Sequence, residues 1–271
     1  MTAWFRVMTY NIRYDNSDDG EHRWEYRREA VADTIRFREP ALLGLQEPLA
    51  NQFEYLRRHL PDYQWVGRSR VDGEGEGEYS PIGFDEKRFA LEETDTFWLS
   101  ETPEEPGSLG WDARHPRIVT WARLRDRRSD TVLVHANTHF SHDGPKARRR
   151  SAHLLRERID AITDDEPVIV TGDFNCVAGE QPHETIVDPE VGDRTIFNAA
   201  EISEHGHHGP ETSVTDFEHL VPNRKIDHVF VTDDIGVRQH GVCTDLYAED
   251  RYPSDHFPVL AQLRLESATN D

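Results

Sequence analysis

At 271 residues the chain can bury a substantial core and lies near the length at which one core still suffices, so one domain over 1–271 is expected. Its 36% hydrophobic and 31% charged residues are spread through alternating and periodic segments, which confines disorder to loops and to a frayed tail at 266–271. With 52 acidic against 31 basic residues the formal charge is −21, a composition of salt adaptation, and no apolar run reaches the roughly 18 residues of a membrane span.

No basic, apolar leader precedes the first strand, so a cytoplasmic protein without membrane contact is expected, a monomer being the favoured state. Cys176 and Cys243 lack CxxC spacing and imply neither a metal knuckle nor a disulfide framework.

Along the chain, Phe5 to Ile12 alternates as a strand and delivers Asn11 to a turn-rich segment from Asp15 to Gly20. Helical spacing runs from Trp24 to Arg38 and stops at Pro40, before the apolar run Ala41 to Leu45. Glu47 and Pro48 open a second helix to His59, and Tyr63 to Gly67 reads as a strand. Asp72 to Glu78 is a Gly/Glu loop; Glu74, Glu76 and Glu78 read as solvated, because its glycines lack phosphate-cradle spacing. Strands follow around Ser80 to Phe84, Phe89 to Leu99, Arg117 to Arg125 and Thr131 to Phe140. Pro145 starts a helix through Thr163, and Val168 to Gly172 is apolar enough for a central strand. Lys225 to Thr232, Val237 to Thr244 and Phe257 to Leu265 complete the set. Many strands, few long helices and a mixed order predict an α/β sandwich of two sheets with helices outside.

Polar residues interrupt the strand ends: Asn11, Glu47, Asn137 and His139, Asp173 and Asn175, Asp227 and His228, Asp255 and His256. Such ends converge groups from distant sequence on one cleft, and hard oxygen donors point to Mg²⁺ or Mn²⁺ rather than zinc.

The ordered segments TYNIR (9–13), GLQE (44–47), NTHFSH (137–142), GDFN (172–175), KIDHVFV (225–231) and SDHFPV (254–259) resemble the endonuclease/exonuclease/phosphatase superfamily over residues 5 to 265. GEYSPIGF (77–84), FWLSETPE (97–104) and RYPSDHFPV (251–259) are similar to a single-domain prokaryotic branch distantly related to deadenylases. The resemblance implies a four-layer sandwich, two mixed β-sheets packed face to face with helices on both outer sides. It implies a metal-dependent hydrolase of phosphoric esters, a nuclease first and a phosphatase or phosphodiesterase of a sugar, inositol or nucleotide ester second.

Phosphodiester hydrolysis needs a cation on the phosphate, an activated water and support for the leaving oxygen. On this reading Glu47 is the primary Mg²⁺ (or Mn²⁺) ligand, with Asn11 beside it as ligand or orienting amide. Asp173 deprotonates the water and Asn175 fixes its geometry; His256 donates to a phosphate oxygen, with Asp255 holding its tautomer or completing the metal shell. His139 contacts the scissile phosphate or leaving group, and Asp227 supports that imidazole or a metal. Tyr79, Arg117, Asn137 and His142 are expected to touch the phosphate-ester substrate, single-stranded nucleic acid included. Arg13 stands where some relatives carry an acidic ligand, which favours one metal over two. A catalytically silent binding protein would have lost Glu47 or Asp173, and both are present.

Elsewhere His205, His207 and His208 read as an exposed polar loop, Arg148 to Arg150 as a solvated helix face, and Trp98 and Trp111 as packing or stacking residues. No GxSxG, HExxH or GxxxxGK motif is present.

Overall fold

The computed structural model describes residues 3–266, so the expected fraying of 267–271 lies outside the described residues. Glu266, placed with that tail from sequence, donates its N–H to Asp234 O at 2.9 Å.

In chain order the elements are β1 (Phe5–Asn11), α1 (Trp24–Arg38), β2 (Leu42–Gln46), α2 (Ala50–His59), β3 (Tyr63–Val66), β4 (Ile82–Asp85), β5 (Phe89–Trp98), β6 (Ile118–Asp126), β7 (Val132–His139), α3 (Pro145–Ile162) and β8 (Val168–Asp173). They continue with α4 (Gln181–Val187), β9 (Ile196–Asn198), α5 (Ala199–Ile202), β10 (Asp227–Thr232), β11 (Ile235–Val242) and β12 (Val259–Leu265). Two six-stranded sheets result, ordered β11-β12-β1-β2-β4-β3 and β5-β6-β7-β8-β10-β9. Each holds one parallel pair near its centre, β1/β2 across α1 and β7/β8 across α3, the other pairings being antiparallel. This is the expected α/β sandwich. Among the described residues no helix is long and apolar enough to cross a membrane.

The period of two along each strand sorts residues into layers. Phe5, Val7, Leu42, Leu133, Ile169, Val231 and Leu263 meet between the sheets. Met8, Tyr10 and Leu43 face α1 and α2, through Val31, Ile35 and Leu56. Val134, Ala136 and Val170 face α3 and α4, through Leu155, Ile159 and Ile186.

Two departures from the sequence reading matter. Glu47 adopts φ 74°, so α2 starts at Ala50 rather than at Glu47, and that carboxylate is not a first-turn helix acid. The short elements α4, β9 and α5 were not anticipated, since seven, three and four residues are too few for periodicity to show.

Candidate active site

Along the inter-sheet face, side chains change from apolar at one end to polar and then ionisable at the other. The polar tier is Thr9, Gln46, His135, Asn137 and Thr171, all fully buried. Asn137 donates through Nδ2 to Leu45 O (2.7 Å) and Pro81 O (3.0 Å), while its Oδ1 accepts from Gln46 Nε2 (2.7 Å) and Thr171 Oγ1 (3.0 Å). This bonding stitches the two sheets together beneath the cleft. Gly44 lies at the same level, where a Cβ would overlap Thr171 Oγ1 and Asn137 Oδ1. Asn137 is therefore a floor residue and not the expected substrate contact, because every hydrogen-bonding site of its amide is already used.

Above the floor, the ladders set the cleft. β8 pairs Asp173 with His139 of β7 on one side and with Asp227 of β10 on the other. Asn11 ends β1, and its Nδ2 donates to both Glu47 Oε1 (3.0 Å) and Asp173 Oδ2 (3.1 Å). Its Oδ1 accepts from the Arg13 N–H at 3.0 Å, which with the two Nδ2 bonds makes Asn11 an orienting amide between the carboxylates and leaves one Oδ1 lone pair for a metal. Tyr14 N donates to Glu47 Oε2 at 3.0 Å, and Asn175 N donates to Asp173 Oδ1 at 2.9 Å. Arg13, Glu47 and Asn175 all have positive φ (55°, 74° and 49°), local strain held by these bonds.

The histidines flank Asp173. His256 Nδ1 lies 2.8 Å from Asp227 Oδ2, its Nε2 lies 3.8 Å from Asp173 Oδ2, and His139 Nε2 lies 3.4 Å from the same oxygen. Asp227 thus supports His256 rather than His139, and Asp227 rather than Asp255 holds the His256 tautomer. Ser213 Oγ donates to Asp227 Oδ2 at 2.6 Å, and Asp255 faces Arg13 Nη1 at 3.7 Å.

Burial opposes charge on His256, but Asp227, Asp173 and Asp255 hold it protonated well above the usual histidine range. Burial, with Arg117 and Arg70 nearby, keeps His139 neutral. Burial and then the charge of Asp227 push Asp173 up to about 7, against His256 and the Asn175 N–H. Burial alone would raise Glu47, yet Asn11, Tyr14 N–H, His256 and Arg13 bring it below the ordinary range. One imidazole is thus set cationic and the other neutral on either side of a carboxyl group.

On the His139 side, Glu78 departs from its reading as a solvated loop acid. Its carboxylate accepts from Arg70 Nη1 at 2.6 Å and lies 3.9 Å from His139 Nδ1, an atom with no hydrogen-bond partner. Burial, then Glu47, pushes it up to about 7. Arg117, 5% exposed, bonds through Nη2 to His142 Nδ1 at 2.9 Å, while its Nε and Nη1 have no partner. The ring of Tyr79, expected to touch substrate, packs on Phe53 at 5.2 Å and its hydroxyl is engaged by Ser69. Trp98 is buried and donates to Arg70 O at 2.7 Å, so it braces the Glu78 loop.

Sequence reasoning also missed Arg27. It is fully buried, donating to Ile12 O, Arg13 O and Pro253 O, and so clamps the loops that carry Arg13 and Asp255. Its place on α1 carries no motif. His207 pairs with His240 (Nδ1 to Nδ1, 3.0 Å) and with Pro210 O, so it is engaged by a neighbouring strand rather than free in a polar loop.

Among the described residues, one group offers three candidate metal-binding atoms within 4.8 Å of one another: Asp173, Asp227 and His256. With Glu47 joined to Asp173 through Asn11, this carboxylate-rich cleft at the strand ends of a two-sheet sandwich is that of a phosphoric-ester hydrolase. The chain belongs to the Endonuclease/Exonuclease/phosphatase family, whose model matches residues 8–256. An endonuclease/exonuclease/phosphatase from Bacteroides vulgatus is 36% identical over 97% of this chain and 100% of its own, with a TM-score of 0.90. The mannosyl-6-phosphatase Bt3783 of Bacteroides thetaiotaomicron is 32% identical over 96% of this chain and 99% of its own, with a TM-score of 0.89. The human Nocturnin catalytic domain shares the fold at 20% identity and a TM-score of 0.75, over 97% of this chain and 93% of its own. Comparison with curated proteins by sequence gives no match.

Proposed function

We propose that the protein hydrolyses the phosphate ester of a small soluble molecule, of the size of a sugar phosphate, by in-line attack of one activated water with a divalent cation bound. The observation that carries this reading is Asp173, set by strand register between a neutral His139 and Asp227, with a cationic His256 held beside it by Asp227.

A divalent cation fits the donor set. Glu47, Asp173, Asp227 and Asp255 converge, and the buried Asp227 Oδ1 has no hydrogen-bond partner. Hard oxygen donors of this kind suit Mg²⁺ or Mn²⁺. Glu47 would hold it as primary ligand, with the carboxylates of Asp255, Asp173 or Asp227 completing the shell, and it would supply Lewis-acid charge to the phosphate.

The chain's own residues do the rest. Asp173 accepts a proton from the attacking water, and Asn11 and Asn175 fix the direction of its carboxylate. His256, held protonated by Asp227, donates from Nε2 to a phosphate oxygen. His139 serves the leaving oxygen, and the Glu78 carboxylate lies 3.9 Å from its Nδ1. Arg117 and His142 present positive charge and a donor at the rim.

For the substrate, the charge of −21 opposes an extended polyanion at low salt, and the Bacteroides relative of 32% identity is named for a sugar phosphate. A nuclease is the second reading, favoured by Lys146, Arg149 and Arg150, basic residues in the first turns of α3. The test is Mg²⁺- or Mn²⁺-dependent turnover of sugar phosphates, nucleotides and single-stranded RNA and DNA in KCl, with Asp173→Asn as blank. Release from small esters, lost in the blank and with EDTA, is expected; cleavage of polynucleotide alone transfers the assignment to a nuclease, and no turnover of any ester rejects both.

A further inference from the structure

This protein pairs many of its basic side chains. Arg38 is held by Asp245, Arg70 by Glu78, Arg88 by Asp126 and Lys225 by Glu211. Lys146, Arg149, Arg150 and His153 differ: among the described residues their side chains make no ion pair or hydrogen bond. With Gln181 of α4 they line a cavity of about 400 Å³ whose lining contains no carboxylate.

The spacing of these residues is i, i+3, i+4 and i+7, which puts them on one face of α3 along about 10 Å of helix. The arrangement works against the helix. Cations near a helix N-terminus oppose the macrodipole, like charges three and four residues apart repel, and the first turn of α3 contains no acidic residue. Asp112 compensates in part, reaching in from the preceding loop to accept from Lys146 N (3.1 Å) and Ala147 N (2.6 Å). Glu180 and Glu184, which flank Gln181 at one and three residues, are turned to Val177 N and His183 Nδ1. A cationic face without ion pairs, on an acidic protein and at some cost to local stability, is suited to an anion.

The helix that carries this face is tied to the loops of the cleft. Arg148 donates to Ser141 O (2.8 Å) and His142 O (3.1 Å), tying the start of α3 to the loop that follows His139. Gln181 opens the helix that follows the Asp173–Asn175 loop.

We propose that this face of α3 is a second anion site, which holds a phosphate group of the substrate other than the one being hydrolysed. The assignment of that anion to the substrate rests on the phosphoesterase reading above. Arginine forks suit phosphate oxygens, and Lys146 and His153 would add point charge at either end. The phosphate comes either from a polynucleotide backbone or from a second ester of a small molecule.

The test begins with binding of inorganic tripolyphosphate, by calorimetry in EDTA at fixed KCl, to the wild type and to Arg149→Gln/Arg150→Gln. Affinity is expected to fall about tenfold or more in the variant, with its melting temperature unchanged or raised as unfavourable helix charge is removed. Equal affinity in the two proteins overturns the site. Kinetics then separate the sources, with a sugar bisphosphate and a tetranucleotide each compared with a sugar monophosphate. A rise of KM in the variant for the bisphosphate assigns a small ligand, and a rise for the tetranucleotide assigns a polymer. No rise for either, or an equal rise for all three, overturns the proposal. Loss of tripolyphosphate binding in a protein that turns over no ester leaves the anion site standing and rejects the phosphoesterase reading alone.

Discussion

Replacing Asn137 by alanine separates a floor residue from a substrate contact. The side chain makes four hydrogen bonds, to Leu45 O, Pro81 O, Gln46 Nε2 and Thr171 Oγ1, all within the sealed inter-sheet layer. At about 1 kcal/mol net for each buried hydrogen bond, their loss costs on the order of 4 kcal/mol. For a chain of this size that is a fall in melting temperature of roughly 8–16 °C. Differential scanning calorimetry in KCl reads it directly, and the surviving folded enzyme should keep its KM within about twofold, since the amide does not reach the cleft. A variant that melts with the wild type but binds substrate several-fold more weakly would refute the reasoning and return Asn137 to the substrate.

Asp227→Asn should lower kcat by about 100-fold with little change in melting. The sign of its pH effect follows from His256, which acts protonated and is held so by Asp227; without that charge its pKa drops, and activity is lost on the alkaline side at lower pH. A pH–rate profile with an unmoved alkaline limb would count against the pairing. Glu78→Gln should cut kcat about tenfold with KM nearly constant, because its charge acts on the neighbouring His139 rather than on bound substrate; a change confined to KM would contradict this. His135, His228 and His240 are buried and pushed down to about 3, so between that value and the unfolded value near 6.5 the unfolded chain binds more protons. Stability therefore falls as pH drops below about 7, each group costing about 2 kcal/mol by pH 5. Urea unfolding of His135→Asn at both pH values should show a dependence shallower by nearly one proton, and an identical slope would exclude His135 as a contributor.

Much of the architecture was legible because alternation and helical spacing are local signals. Helix α1 spans the predicted Trp24 to Arg38, and β8 begins at the predicted Val168. The clustering of Asn11, Glu47, His139, Asp173, Asp227 and His256 could be read from their places at strand ends. Their pairing could not. Which carboxylate supports which imidazole depends on the position of β10 beside β8, and sequence order says nothing of that. Glu78 was hidden in a repetitive Gly/Glu run, where composition suggests solvent while the loop fold turns one acid inward. Arg27 was invisible because its partners are carbonyl oxygens, which every residue possesses.

The common rung of β7, β8 and β10 has a further consequence. His139, Asp173 and Asp227 are spaced by the inter-strand separation of about 4.8 Å, a property of the backbone that side-chain evolution cannot adjust. A slip of one residue in β8 would turn Asp173 to the opposite face of the sheet while leaving Gly172 in its place. The reactive geometry is thus inherited whole or not at all. The surrounding loops lie outside the ladder and are free to diversify, so new substrates can arise at the rim of the cleft without reinvention of the chemistry at its base.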